Sequence, residues 1–170
     1  MHSMEIIQAK DSDFIEILYL LKVCILDMNR NGLTHWNSAY PGPEIILEDL
    51  AKSSIYLMKD KGVCKGMVTL DDQEPEEYKG IQWPSKARKP LFVHRLAVHP
   101  NWQGQGIARR LMTFSEEFAL KNGFDALRID VFSDSLHARN LCRKNNFSEA
   151  GNFLSFFQQQ PFICYDKKIG

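Results

Sequence analysis

Apolar residues recur along this chain at two periods, and the switches between them mark out its elements. Ile6 to Ala9 alternates as a short strand. Phe14, Ile17, Leu18, Leu21, Ile25 and Met28 then fall at helical spacing behind Asp11 and Asp13, whose carboxylates suit an N-cap. A helix is predicted from there to about Asn29, stopped by Asn31-Gly32. A second helix runs from about Glu44 to Lys52 and buries Ile46, Leu47 and Leu50. Ser54 to Lys59 and Val63 to Leu70 read as a hairpin around Asp60-Lys61-Gly62. Leu91 to Val98 is a strongly apolar strand. Ile107 to Asn122 is the third helix, with Leu111, Met112, Ser115, Phe118 and Ala119 inward and Gly123 as its stop. Ala126 to Phe132 alternates as a strand, and Leu136 to Asn145 is a fourth helix. Phe147 to Phe157 and Phe162 to Ile169 read as two last strands.

Two connections stand out. Residues 34–43 form a loop rich in rings, with His35, Trp36 and Tyr40. Residues 71–89 are polar and long, with Tyr78 and Trp83 available to pin them. The order β-α-α-β-β-β-α-β-α-β-β predicts an α/β fold with a mixed central sheet flanked by helices. With no repeat and no linker, residues 1–170 are expected to form a single domain.

The chemistry concentrates where the apolar strand meets the third helix. Leu96 to Met112 reads Leu-Ala-Val-His-Pro-Asn-Trp-Gln-Gly-Gln-Gly-Ile-Ala-Arg-Arg-Leu-Met. A strand, a glycine loop and a helix start point several backbone N–H groups at one spot, and the helix dipole adds roughly half a positive charge there. A pyrophosphate fits that spot. The dinucleotide fingerprint fails, because Gly104-Gln105-Gly106 continues as Ile107, Ala108 and Arg109 with no third glycine at the right spacing. The phosphate loop ending in Gly-Lys-Ser/Thr is absent. What fits is Gln103-x-x-Gly106-x-Ala108 directly after the strand.

That pattern resembles the acyl-CoA-binding motif of the GCN5-related N-acetyltransferase (GNAT) superfamily. Ser135 to Phe147, with Ala138, Leu141, Cys142, Lys144 and Phe147, resembles the family's second motif, Asn-x-x-Ala-x-x-Leu-Tyr-x-Lys-x-Gly-Phe. The resemblance implies a mostly antiparallel mixed sheet and acetyl-CoA as cosubstrate. It implies that backbone groups at Leu96 and Val98, with Ala97 between them, flank the pantetheine arm. Amides across Gln103, Gly104, Gln105, Gly106, Ile107 and Ala108, extending to Arg109, would hold the pyrophosphate. Ser135, Ala138 and Cys142 would face the far side of the arm. A neutral amine would attack the thioester directly, helped by a base and by an acid for the departing thiolate.

The chain departs from the family at several points. Cys142 stands where many members carry the tyrosine acid, and either donates a proton or packs. Ser135 replaces the common Asn, and Asn146 replaces Gly before Phe147. Leu91 to Val98 holds no acidic residue, so His94 is the candidate base there, or simply a strand histidine satisfied by a neighbour. Trp36 and Tyr40 sit where this family often builds its acceptor pocket, or they anchor a long loop.

Charge and composition narrow the partners. Twenty-one basic residues balance twenty-one acidic ones, which disfavours nucleic acid and anionic membranes. Cys24, Cys64, Cys142 and Cys164 have no metal-ligand or redox spacing, so no metal is expected and the thiols read as those of a reduced, cytoplasmic protein. No segment resembles a signal peptide or approaches the ~20 apolar residues of a membrane span. The expected acceptor is a small-molecule primary amine. The alternatives are a protein N-terminus or lysine, and an acyl-CoA-binding sensor without turnover. The chain is expected to be a monomer or a homodimer.

Overall fold

The structure, a computed structural model, describes residues 4–170, which divide into two compact units. The first comprises residues up to Leu70 together with Arg95–Leu111. It holds β1 (Glu5–Gln8), a 3-10 turn at Asp11–Asp13, α1 (Phe14–Arg30), α2 (Pro43–Ala51), β2 (Ile55–Asp60) and β3 (Val63–Asp71, as far as Leu70). It also holds the second half of β4 (Pro90–Val98) and the opening of α3 (Ile107–Lys121). The second unit, residues 71–94 and 112–170, holds the rest of β4 and α3. To these it adds β5 (Ala126–Phe132), α4 (Leu136–Lys144), β6 (Ser148–Phe153) and β7 (Phe162–Lys168).

In the first unit, β1, β2 and β3 pair antiparallel, with Ile7 opposite Leu57 and Leu57 opposite Met67. The inward residues of α1 are Ile17, Leu20, Leu21 and Cys24, spaced so that one face of the helix meets the sheet. They join Ile46 and Leu50 of α2, Ile55 and Leu57 of β2, Met67 and Ala97 in one core. Pro43 opens α2 at its first position, where a missing N–H costs nothing. Cys64 to Leu70 of β3 is buried throughout, polar Lys65 and Thr69 included, so both faces of this strand are covered. Lys59 closes the far end of the unit by bridging Asp13 and Glu16 at 2.9 and 3.0 Å.

In the second unit, β5 pairs antiparallel with β7 along its whole length, and β6 pairs with β7 outside it. The contact of β5 with β4 is parallel and short, Pro90–Phe92 opposite Ala126–Arg128. The seven strands follow the order β1-β2-β3-β4-β5-β7-β6, with β4 shared between the units, so the sheet is mixed and mostly antiparallel as expected. The polar 71–89 segment is pinned by Tyr78, which is buried, and by Trp83, which lies under the Arg128 guanidinium at 4.3 Å. Arg128 also pairs with buried Asp166, whose carboxylate accepts from both the amide and the hydroxyl of Ser85. Asn146 takes φ +64°, so the turn before Phe147 survives without glycine.

One expected strand is shorter than its pattern. β6 stops at Phe153 instead of Phe157, because Ser155 accepts from the amides of Phe157 and Gln158 and turns the chain out of the ladder. Phe156 and Phe157 are left 95% and 86% exposed.

β3 approaches the start of α3 closely at one glycine. A β-carbon on Gly66 would stand 3.0 Å from the Ala97 carbonyl and from Ile107 Cγ2, and 3.2 Å from Leu111 Cδ1. Gly66→Ala is therefore expected to cost about 1–3 kcal/mol by overpacking, read as a lower urea midpoint. An unchanged midpoint would show that α3 yields freely at this contact.

Candidate acyl-CoA and acceptor site

The first unit carries the strand, loop and helix start. β4 ends at Val98, and a 3-10 turn at Pro100–Trp102 leads to the glycines. His99 holds the turn at both ends: its amide donates to the Lys65 carbonyl at 2.9 Å, and its Nδ1 accepts from the Asn101 amide at 3.1 Å. The Lys65 ammonium sits 3.8 Å from the centre of the Trp102 ring, which fixes the outer wall of the turn. Gln103 Nε2 reaches back to the Val98 carbonyl at 3.2 Å, and the Cys24 thiol approaches the same oxygen at 3.4 Å. The signature glutamine thus ties the loop to the end of its own strand.

Gly104 and Gly106 take φ +76° and +78°, which disfavour every side chain. An added β-carbon at either would meet nothing within 4 Å, so open space lies over the loop. The first backbone bond of α3 runs from the Arg110 amide to the Gly106 carbonyl at 3.0 Å. Helix geometry then leaves the amides of Ile107, Ala108 and Arg109 without a helical acceptor. Ile107 is buried and clamps this end of the helix, while Ala108 is half-buried and Arg109 exposed. An anion placed here meets three aimed donors and the positive end of a fifteen-residue helix.

Upstream, β4 bends at Arg95, which adopts φ +47° within the strand. Its side chain is held by Asp49 of α2, with Nε–Oδ2 2.7 Å and Nη2–Oδ2 2.6 Å, and Nη1 donates to the Tyr40 hydroxyl at 3.4 Å. This buried ion pair was not singled out from the sequence. Its signal there is an arginine in the middle of an apolar strand. The 34–43 loop is internally tied as well. Asn37 Oδ1 accepts from the amides of Ala39 and Tyr40, and the Asn29 amide group donates to the Leu33 and Trp36 carbonyls. Trp36 packs against the core, and Tyr40 is 40% exposed. His35 stacks obliquely on Trp36, and burial lowers its imidazole to about 4, so it is neutral at ordinary pH.

The second unit carries the remaining candidates. Ser135 caps α4 by accepting the Ala138 amide at 3.4 Å, so the residue in the family's Asn position shapes the helix start. Ala138 is half-buried one turn before Cys142, which is fully buried. Burial, and secondarily the charge of Asp130, pushes the Cys142 thiol up to about 12. His94 is half-buried, and its ring stacks on Phe92 at 6.5 Å and 21°. The register of β5 with β4 ends at Arg128 among the described residues, while β5 runs on to Phe132. Asp130 lies in that further stretch and accepts a 2.6 Å hydrogen bond from the Tyr78 hydroxyl.

Comparison with known proteins settles the class. The sequence model of the acetyltransferase (GNAT) family matches residues 25–147, and the chain belongs to that family. It is therefore an enzyme of the acyl-CoA-dependent N-acetyltransferase class. No curated protein matches the sequence. Among solved structures, a GNAT-family acetyltransferase from Streptococcus agalactiae 2603 superposes with a TM-score of 0.84 at 19% identity, covering 98% of this chain and 96% of the other. YncA from Salmonella typhimurium, solved with its cofactor acetyl-CoA, gives 0.72 at 15% identity over 99% and 95%. The ribosomal-protein-S18-alanine N-acetyltransferase from Escherichia coli gives the same values. At these identities the likeness shows the fold. No helix among the described residues is long and apolar enough to cross a membrane.

Two glycines separate backbone strain from ligand binding. Gly62, in the β2–β3 turn, has φ +78° and open space around it, as Gly106 does. Alanine at either should cost about 1–2 kcal/mol of stability from the left-handed backbone alone. Only Gly106→Ala is expected to weaken acetyl-CoA binding, by about tenfold in calorimetry. Equal affinities in the two variants would remove the loop from the binding site.

Proposed function

We propose that this enzyme transfers the acetyl group of acetyl-CoA to the primary amine of a small molecule by direct attack. The observation that carries the donor half is the start of α3 at the Arg110–Gly106 bond, which by helix geometry leaves the amides of Ile107, Ala108 and Arg109 without a helical acceptor, beside two left-handed glycines with open space above them. On this reading Gln103, Gly104, Gln105 and Gly106 complete the diphosphate cradle. Leu96, Ala97 and Val98 guide the arm, with Gln103 holding the Val98 carbonyl in place.

The acceptor half rests on the 34–43 loop. Trp36 packs against the core of the first unit and Tyr40 is tied to Asn37 and Arg95, and ordered rings in this loop suit a small, shaped substrate. A cytoplasmic compartment is the reading supported by four cysteines without metal-ligand or redox spacing. A second reading, a protein N-terminal amine, draws support from the likeness to an enzyme that acts on ribosomal protein S18.

Cys142 packs rather than donates. Burial, and secondarily the charge of Asp130, pushes its thiol up to about 12, which makes it a poor proton donor toward a thiolate of ordinary basicity. The attacking nitrogen carries a spare proton once the C–N bond forms, and the departing thiolate takes it. On this reading the imidazole of His94, whose ring stacks on Phe92, is the group that receives the first proton from the ammonium.

The test is a panel of small primary amines and short peptides, read as N-acetyl product by mass spectrometry. Small amines are expected to turn over faster than peptides, and product from peptides alone would overturn the reading in favour of a protein acceptor. Trp36→Ala is expected to raise KM for the amine and leave KM for acetyl-CoA unchanged. An effect on neither returns Trp36 to the core.

Cys142→Ala is expected to lower stability by about 1–2 kcal/mol through the cavity it leaves, with kcat within threefold of wild type. A fall in kcat beyond tenfold at unchanged KM would restore the thiol as the acid.

A further inference from the structure

The outward face of α1 is not the polar surface expected of a helix that packs its other face against a core. Ile15, Tyr19 and Leu26 stand 72%, 62% and 49% exposed. Exposed apolar side chains are ordinary when scattered singly, but these three lie on one line. With exposed Lys22 among them they follow a 4-3-4 spacing, the spacing of a seam between packed helices. The stripe opens at Asp11, in the 3-10 turn before the helix, and closes at Arg30 in its last turn, both exposed. It is about 29 Å long at the rise of a helix. Among the described residues, Asp11, Lys22 and Arg30 have no partner for their charges.

The stripe has the same spacing from either end. Its positions pair about the midpoint between Leu20 and Leu21: Asp11 with Arg30, Ile15 with Leu26, and Tyr19 with Lys22. Ser12 and Asn29, the remaining exposed residues between Asp11 and Arg30, pair in the same way. A two-fold axis at that midpoint lays one copy of α1 antiparallel on another and turns each pair into a contact between copies, made twice. The pairs are complementary in chemistry as well as in position. Opposite charges meet at the ends, aliphatic side chains meet inside them, and an ammonium meets a phenol ring near the centre. A parallel arrangement would instead set each charge against its own kind. The apolar contacts supply the attraction, since exposed ion pairs contribute little, and the charges set direction and register.

We infer that α1 is the surface by which two copies of this chain associate, antiparallel and centred between Leu20 and Leu21. The surface lies wholly within the first unit and contains none of the residues assigned to the acyl-CoA or acceptor site. One helix from each copy buries a small interface, about 1,000 Å² or less, so association in the micromolar range is expected.

The test is sedimentation equilibrium of the full chain. Wild type is expected to be mainly dimeric at about 100 µM and mainly monomeric at about 1 µM. Leu26→Lys sets an ammonium against Ile15 of the other copy and is expected to weaken the dimer about thirtyfold or more. Asp11→Lys and Arg30→Glu change exposed side chains without partners, and each is expected to weaken the dimer about fivefold, because each new like-charge contact occurs twice. The two changes together exchange the signs and are expected to restore wild-type association. Should Leu26→Lys fold poorly, read as a lower urea midpoint in dilute solution, the charge variants decide alone. The inference is overturned by wild type that stays monomeric at the higher concentration, or by a dimer indifferent to a folded Leu26→Lys. Single charge changes without effect, or a double change that does not restore the dimer, overturn it equally.

Discussion

A helix cannot satisfy the amides of its own first turn, and here that constraint organises the molecule. Arg110 makes the first bond of α3, which leaves Ile107, Ala108 and Arg109 offering N–H groups outward. Such groups are tolerated only in water or against a partner. The surrounding structure fixes where they point. Ile107 is buried against Gly66, Gln103 ties the loop to Val98, and His99 anchors the turn to β3. Each of these contacts holds a backbone segment rather than a reactive group. Binding a diphosphate by backbone needs little more than correct placement, and so a chain can diverge widely in sequence while keeping the site.

The parts legible in the sequence were those encoded locally. The glycine loop and the left-handed Asn146 each follow from one residue type and its immediate neighbours. Helical and alternating periods placed the elements because one face of each meets a core. What the sequence hid were polar pairs between distant segments. Arg95 and Asp49 are 46 residues apart, and Tyr78 and Asp130 are 52 apart. No spacing rule announces such partners, since their adjacency is made by sheet register and by a loop that crosses it. The early end of β6 was hidden for the opposite reason. Its apolar run continues through Phe156 and Phe157, but a single serine turn at Ser155 redirects the backbone.

The buried polar pairs show a division of labour. Arg95–Asp49 and Arg128–Asp166 each satisfy a charge by another charge, and removing one partner from such a pair strands the other at a cost of several kcal/mol. Both lie beside backbone that matters. Arg95 sits at the bend of β4, and Asp166 secures the 71–89 segment through Ser85. Tyr78–Asp130 is of another kind, a neutral donor on an acid.

All four cysteines are buried with free thiols, and burial pushes each of them up to about 12. A thiolate is the form that reacts with a chromogenic disulfide, and at neutral pH these residues supply almost none while the chain stays folded. A colorimetric thiol reagent added to the working enzyme therefore counts the coenzyme freed at each turnover, and the same reagent in denaturant counts the protein.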